Sequence, residues 1–288
     1  MRAVSLRALA SGRGSLQHVP RACDRCRAVA CAAAPPRRID VVGAGFAGLA
    51  VTYFLLKQAA ATQLDVHVCL HDAKGVGGGA SGVAAGLLNP FSPRGDTSLW
   101  RGEEGCAATE RLLAVAEQAL GRPVSCLSGS LHPLKSTGKP RSWRQQLSAE
   151  QAWTQFGLRL PAPFSGVDLY AGGRVIDAPA YLAGLWAACQ AVGQHDAGNR
   201  VQLCTQLVPS LAHLAAQGAC DVIVCAGAAT TLLPELEQLP LTTSGGHVAV
   251  LESPALARDS PAVMLPGAGY CAPTGDGSVV VGATKARA

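Results

Sequence analysis

The sequence predicts an α/β fold of the Rossmann-like, dinucleotide-binding type, and three observations predict it. A short apolar strand at residues 39–42 (Ile-Asp-Val-Val) runs into Gly43-Ala44-Gly45-Phe46-Ala47-Gly48, a helix-like stretch follows at 49–57, and a second strand ends on an acid, Asp72. GxGxxG carries weight only in such a setting. Gly43 permits the tight turn, Gly45 lets the backbone approach a pyrophosphate, and Gly48 lets helix and strand pack closely. The helix N-terminus then turns unpaired N–H groups and its positive dipole end to the phosphates. In the second strand Val66, Val68 and Leu70 alternate with His67, Cys69 and His71, the period of a half-buried strand. Asp72 closes it near the separation, about 20 residues past the last glycine, at which an acid meets the adenosine ribose. Asp65 and His71 are its rivals. Asp65 stands at the wrong end of the strand, and a neutral imidazole is a poorer partner for two ribose hydroxyls.

A second glycine cluster follows, with five glycines between Gly75 and Gly82, and these permit backbone conformations that side chains forbid. It falls at the carboxyl edge of the expected sheet, where ligands bind in such folds. Residues 104–120 form an amphipathic helix through Leu112, Leu113, Ala116 and Leu120. Residues 125–169 are richer in Ser, Gln, Lys, Arg and Pro and read as inserted material. Asp177 can cap a helix that begins at Ala178-Pro179, where proline lacks a donor that is not needed. Tyr181, Leu182, Leu185, Trp186 and Cys189 recur at helical spacing as core positions. Cys204 and Cys225 fall in apolar strand-like runs, the first within a strand expected at 201–208, and Gly275-Asp276-Gly277 suits a tight turn.

Charge and cysteine usage narrow the function classes. The formal charge of +5 is concentrated in residues 1–38, which carry eight Arg against one acid, Asp24; the remainder has 16 basic and 18 acidic residues. That balance gives no general attraction for nucleic acid or an anionic membrane. The Arg- and Ala-rich leader, broken by Gly and Pro, has the composition of an organelle transit peptide. Cys23 and Cys26 within it form a CxxC with no second pair at a useful distance, so incidental cysteines are favoured over a zinc site. The other cysteines are scattered and imply no disulfide framework. The apolar run from Val41 to Leu56 is shorter than the roughly 20 residues a membrane helix needs, and no other run is long enough. None of the seven histidines pairs at metal-ligand spacing, so no metal is expected. His132 and His247 are the two that could face a cofactor. The sequence holds no GxSxG, Walker lysine motif or internal repeat.

With the second cluster added, the chain resembles the FAD-dependent oxidoreductases of the D-amino-acid oxidase and glycine oxidase type, and especially their plant and cyanobacterial members. The resemblance rests on the GxGxxG, on Gly79-Ala80-Ser81-Gly82 with Ala85-Gly86-Leu87, on Leu99-Trp-Arg-Gly102, on Gly172-Gly173-Arg-Val-Ile-Asp177, on residues 220–228 and on the 270–284 hairpin. It implies FAD as cofactor. Ser81, Ala85, Gly86 and Leu87 would lie on the flavin side, Gly79 and Ala80 would also bind the cofactor, Ala226 and Gly227 would lie near the phosphates, and Leu207 would meet the adenine through its backbone. It also implies an antiparallel-sheet substrate domain over the flavin, built from the insertion and the later strands. The expected division is a chloroplast or mitochondrial transit segment at 1–37, an FAD-binding domain at 38–98 and 171–240, and a partial substrate domain at 99–170 and 241–288. Relatives continue beyond the motif at Gly282-Ala-Thr284, so a C-terminally truncated form is expected.

The resemblance implies oxidation of the C–N bond of an amino acid or other amine, the flavin doing the hydride chemistry while the protein orients the substrate. The alternatives are a truncated FAD-binding protein without catalysis and a flavoenzyme acting on a modified tRNA uridine, against which the charge balance argues. No catalytic residue is selected by the sequence. Arg101, Arg141 and Arg144 are open candidates for a carboxylate clamp, and oligomeric state is undetermined.

Overall fold

The structure, a computed structural model, describes residues 35–91, 98–126, 128–135, 145–195, 200–253, 260–265, 269–274, 277–284 and 286–287. The leader, Arg141, Arg144 and the turn residues Gly275 and Asp276 lie outside them. Four parallel strands, β1 (Arg37–Val42), β2 (Val66–His71), β9 (Arg200–Cys204) and β10 (Asp221–Val224), pair in the order β10-β1-β2-β9. The chain leaves β1 toward β2 and β9 on one side and returns to β10 on the other. The strand order therefore reverses between β1 and β10, and the crevice at their carboxyl ends is the topological switch point.

Alternation along the strands splits this sheet into two unlike faces. Ile39, Val41, Val66, Val68 and Leu70 are buried under helices α1 (Phe46–Thr62) and α4 (Ala178–His195), together with Leu49, Leu56, Leu182 and Leu185. The sequence predicts α1 only to residue 57. Five more residues join it, and it ends at Gln63 in the left-handed conformation, φ 55°. Asp177 caps α4 as expected, its Oδ1 accepting from the Ala180 N–H at 3.0 Å. β9 stops at Cys204, four residues short of the expected end, because its partner β2 ends at His71.

The opposite face carries Arg38, Asp40, Cys69, His71, Gln202 and Cys204. Asp40 is fully buried and accepts from Arg38 Nε and Nη2, each at 2.8 Å, and lies 2.6 Å from His71 Nε2. Burial alone would raise the Asp40 carboxyl, but the hydrogen bonds from Arg38 and His71 outweigh it and hold the group below its ordinary value. The sign follows. A carboxyl depressed in the folded state adds stability above its unfolded value, and that stability is lost as pH falls through the folded one. Asp40→Ala leaves Arg38 and His71 without their shared partner and is expected to cost about 3–5 kcal/mol, the range for breaking a buried pair. Denaturant melts at neutral pH and near pH 3 check this: the wild type loses stability on acidification and the variant, already weakened, loses less.

Helix α2 (Gly102–Leu120) buries Leu112, Leu113 and Ala116 in the same core as α1 and α4. The expected boundary at residue 99 is thus not where the packing changes, since the apolar stripe of α2 is covered by the dinucleotide-binding half. A three-stranded sheet, β3 (Leu87–Leu88), β8 (Arg174–Ile176) and β4 (Ser125–Cys126), lies beside it in the order β3-β8-β4.

The second large sheet has the order β12-β15-β14-β13-β5-β7-β6. Its strands are β5 (Ser130–Lys135), β6 (Gln145–Ser148), β7 (Phe164–Tyr170), β12 (Val248–Glu252), β13 (Ala262–Leu265), β14 (Gly269–Pro273) and β15 (Ser278–Gly282). All pairs are antiparallel except β5 with β13, which is parallel. The expected all-antiparallel sheet is corrected at that join, where two strands far apart in sequence meet without a hairpin to set their direction. One face packs Leu131, Leu147 and Val167 with Ala152 of α3 (Ala149–Phe156), a helix opened by a Ser148/Gln151 capping box. The other face brings Ala262, Ala272 and Val280 against Ala85, Leu87 and Val175, beside β3. A short helix α5 (Leu211–Ala216) precedes β10, and β11 (Ser244–Gly245) pairs with β16 (Ala286–Arg287). Among the described residues no helix is long and apolar enough to cross a membrane.

Candidate functional site

The glycine turn after β1 is held at close quarters on every side. Gly43 has φ +108° and donates its N–H to the His71 carbonyl at 2.7 Å; a Cβ there would lie 2.4 Å from the Cys225 carbonyl oxygen. A Cβ at Gly48 would lie 1.7 Å from the Gly43 carbonyl oxygen. The first turn of α1 therefore sits against the end of β1 as the spacing predicts. The N-cap residue Gly45 offers no side-chain cap and no acid lies in the first turn of α1, so its positive end is turned to the carboxyl edge of the sheet.

Asp72 follows the last residue of β2 and spans the two glycine segments. Its Oδ2 accepts from the Ala44 N–H at 2.9 Å and its Oδ1 from the Lys74 N–H at 3.0 Å, while its own N–H donates to the Cys204 carbonyl at 3.0 Å. Each carboxylate oxygen keeps acceptor capacity for a further donor. Gly77 N–H donates to the Ala44 carbonyl at 3.0 Å, joining the second cluster to the first. Ala80, Ser81 and Gly82 form one 3₁₀ turn after Gly79, and Ser81 Oγ accepts from the Phe46 N–H at 3.3 Å. The hydroxyl thus stands over Gly45, where a Cβ would lie 2.7 Å from it. Ala47 lies in the first turn of α1.

Ala85 is buried beneath the second large sheet, Gly86 has φ +62°, and Leu87 begins β3. The Gly86 carbonyl accepts from the Ile176 N–H at 2.9 Å. Ala226 and Gly227 follow β10, next to the Gly43 turn that meets Cys225. Leu207 lies three residues past β9 at the same edge and is 79% exposed. Asp72, Leu207, Ala226 and Gly227 thus stand at the carboxyl edge of the sheet, on both sides of the switch point. With the glycine turn they fit a dinucleotide: a helix N-terminus and crowded glycines for a pyrophosphate, and a carboxylate with spare acceptor capacity for a ribose.

Of the clamp candidates, Arg101 is at the surface, paired with Glu104 and 5.7 Å from the Trp100 ring centroid. The exposed His247 donates its N–H to Thr284 Oγ1 at 2.9 Å. His132 is buried instead, beside Asn89 and Ser130. Sequence reading singled out neither Asn89 nor Ser130, nor the Asp40–His71 pair. An acid placed among apolar strand residues was the one local signal of the latter. Burial pushes the thiols of Cys69, Cys204 and Cys225, near the carboxyl ends of their strands, above their ordinary value, which makes them poor nucleophiles.

With this geometry in place, comparison with known proteins is informative. The pattern of the DAO family, described as FAD dependent oxidoreductase, matches residues 38–288. Among solved structures, glycine oxidase from Geobacillus kaustophilus is 20% identical with a TM-score of 0.67, the match covering 87% of this chain and 72% of that one. Iminodiacetate oxidase from Chelativorans sp. BNC1 is 17% identical with a TM-score of 0.62, covering 86% and 72%. L-Amino acid deaminase from Proteus myxofaciens is 13% identical with a TM-score of 0.62, covering 86% and 58%. At these identities the likeness is one of fold. No curated protein sequence matches the chain.

Proposed function

The chain belongs to the DAO family of FAD dependent oxidoreductases, and from that premise we propose that it oxidises the C–N bond of an amino acid or another small amine. Bound FAD supplies the hydride acceptor for that chemistry. The chain's own residues bind and orient. Gly43, Ala44, Gly45 and the first turn of α1, with Phe46, Ala47 and Gly48, receive the pyrophosphate; Ala226 and Gly227 close on it from β10. Asp72 accepts from the ribose hydroxyls, and the backbone at Leu207 meets the adenine. Gly79, Ala80 and Ser81 lead to Ala85, Gly86 and Leu87, which line the flavin side. The apolar sheet face of Ala262, Ala272 and Val280 packs over Ala85 and Leu87 and keeps water from them.

The observation that carries this reading is the convergence of the α1 N-terminus, Asp72 and the 79–87 segment at one carboxyl edge. Its test is anaerobic. Flavin-loaded protein is mixed with a panel of amino acids and primary and secondary amines while the visible flavin band is followed. At least one amine is expected to bleach it and to yield the corresponding carbonyl product. A folded, yellow protein that no amine on the panel bleaches would refute the reading.

A further inference from the structure

Asn89 lies one residue past β3, and its side chain reaches across to the second large sheet. Asn89 Oδ1 accepts from the Phe91 N–H at 3.0 Å. That bond fixes which end of the amide is which, so Nδ2 is the group turned to the sheet. Nδ2 lies 3.2 Å from Ser130 Oγ and 3.3 Å from His132 Nε2, and the serine oxygen and Nε2 are 3.2 Å apart. Ser130 is fully buried and His132 nearly so. An amide N–H₂ has no lone pair to offer, so in the contact with Asn89 it is His132 Nε2 that takes the acceptor role.

The placement of this cluster gives it a consequence. Ser130 pairs with Ala262 and Tyr170, and His132 with Asp168, so Ser130 and His132 share the sheet face that packs on Ala85 and Leu87. On that face β7 also contributes the ionisable groups of Asp168 and Tyr170, whereas β13 contributes only Ala262 and Met264. The hydrogen bonds through Asn89 are thus a directional tie between β3 and a sheet otherwise joined to it by apolar contact, which does not fix register. Phe91, packed edge-on against Tyr170 at 5.1 Å between centroids, closes the same segment from its far end.

We propose that His132, acting through Asn89 and Ser130, is a positioning residue that sets the 85–89 segment against the substrate-side sheet and so fixes the wall along which the flavin lies. The inference rests on the reading above that residues 85–87 line the flavin. It concerns a hydrogen-bond acceptor; His132 moves no proton in it.

The test uses the full chain with one flavin-independent and one flavin-dependent readout. Hydrogen exchange of the peptide spanning 87–91 is measured without FAD, and FAD affinity is measured by fluorescence titration. His132→Leu removes the acceptor, His132→Gln places an amide oxygen near the position of Nε2, and Asn89→Ala removes the tie without altering the sheet face. His132→Leu and Asn89→Ala are expected to speed exchange in 87–91 by about tenfold, leaving α1 and α4 unchanged, and to weaken FAD by about tenfold. His132→Gln restores both. Unchanged exchange in 87–91 overturns the proposal, as does loosening shared equally by β7 and α3 that glutamine does not rescue. Faster exchange with unaltered FAD affinity also overturns it, and with it the assignment of 85–87 to the flavin. If both effects appear but no amine bleaches the flavin, the positioning role stands and the proposed reaction fails.

Discussion

Gly48→Ala is expected to abolish FAD retention: protein that is yellow as wild type emerges colourless from desalting, with affinity lower by at least about 100-fold. The added Cβ would lie 1.7 Å from the Gly43 carbonyl oxygen, far inside contact distance. Neither partner can yield cheaply. Gly43 is pinned by its N–H bond to the His71 carbonyl and by its closeness to Cys225. On the other side, Leu49 and Leu56 anchor α1 in the core without any exposure. Overpacking against flexible side chains costs about 1–3 kcal/mol, and here the obstacle is backbone, so the helix must shift off the end of β1. Because a helix end acts on an anion only within about its first turn, that shift removes the pyrophosphate site even if the chain still folds. Gly105→Ala on α2, where nothing lies within 4 Å of the added carbon, is the control and should retain flavin. A Gly48→Ala protein that holds FAD like the wild type would show that the turn is not the phosphate site.

The parts of the site that could be read from sequence are those whose geometry is local. Gly43, Gly45 and Gly48 lie close together in sequence: the requirement for a missing Cβ at 48 arises from Gly43, five residues before it, and the positive φ of Gly43 is itself a local property of the turn, although Cys225 crowds it as well. Asp72 was also legible, since strand length and glycine spacing place it at the carboxyl edge whatever the rest of the chain does. What escaped depends on register between distant strands. Asp40 looks like an acid stranded in a buried strand until β2 is paired with β1, which sets His71 2.6 Å away. Asn89 and His132 come from segments whose meeting is decided by how β5 lies over β3. The end of α1 was missed for a different reason: Gln63 adopts the left-handed conformation that glycine usually marks, so no stop signal was visible. The extent of the first core was misjudged at α2, because an amphipathic stripe shows that a helix is covered on one side without showing by what.

Asp72→Ala is the second substitution expected to have a large effect, and comparison of FAD with FMN reveals its cause. The carboxylate serves two purposes. It accepts from the Ala44 and Lys74 N–H groups, which shapes both glycine segments, and its remaining acceptor capacity faces the position proposed for the ribose. Hydrogen bonds to a charged group contribute about 1.5–3 kcal/mol each, so losing two ribose contacts should weaken FAD by about 100-fold or more. FMN has no adenosine and should lose much less. Asp72→Asn separates the two purposes further. An amide has a single acceptor oxygen, so its N–H₂ must be turned to either the Ala44 or the Lys74 N–H, two donors that repel. The asparagine variant should therefore weaken FAD by about tenfold and also lower the melting temperature of the flavin-free protein. If Asp72→Ala weakens FMN and FAD by the same factor, the carboxylate only shapes the turn. The ribose would then have to be held by another group at the carboxyl edge, and the backbone past β9 near Leu207 would be the next place to look.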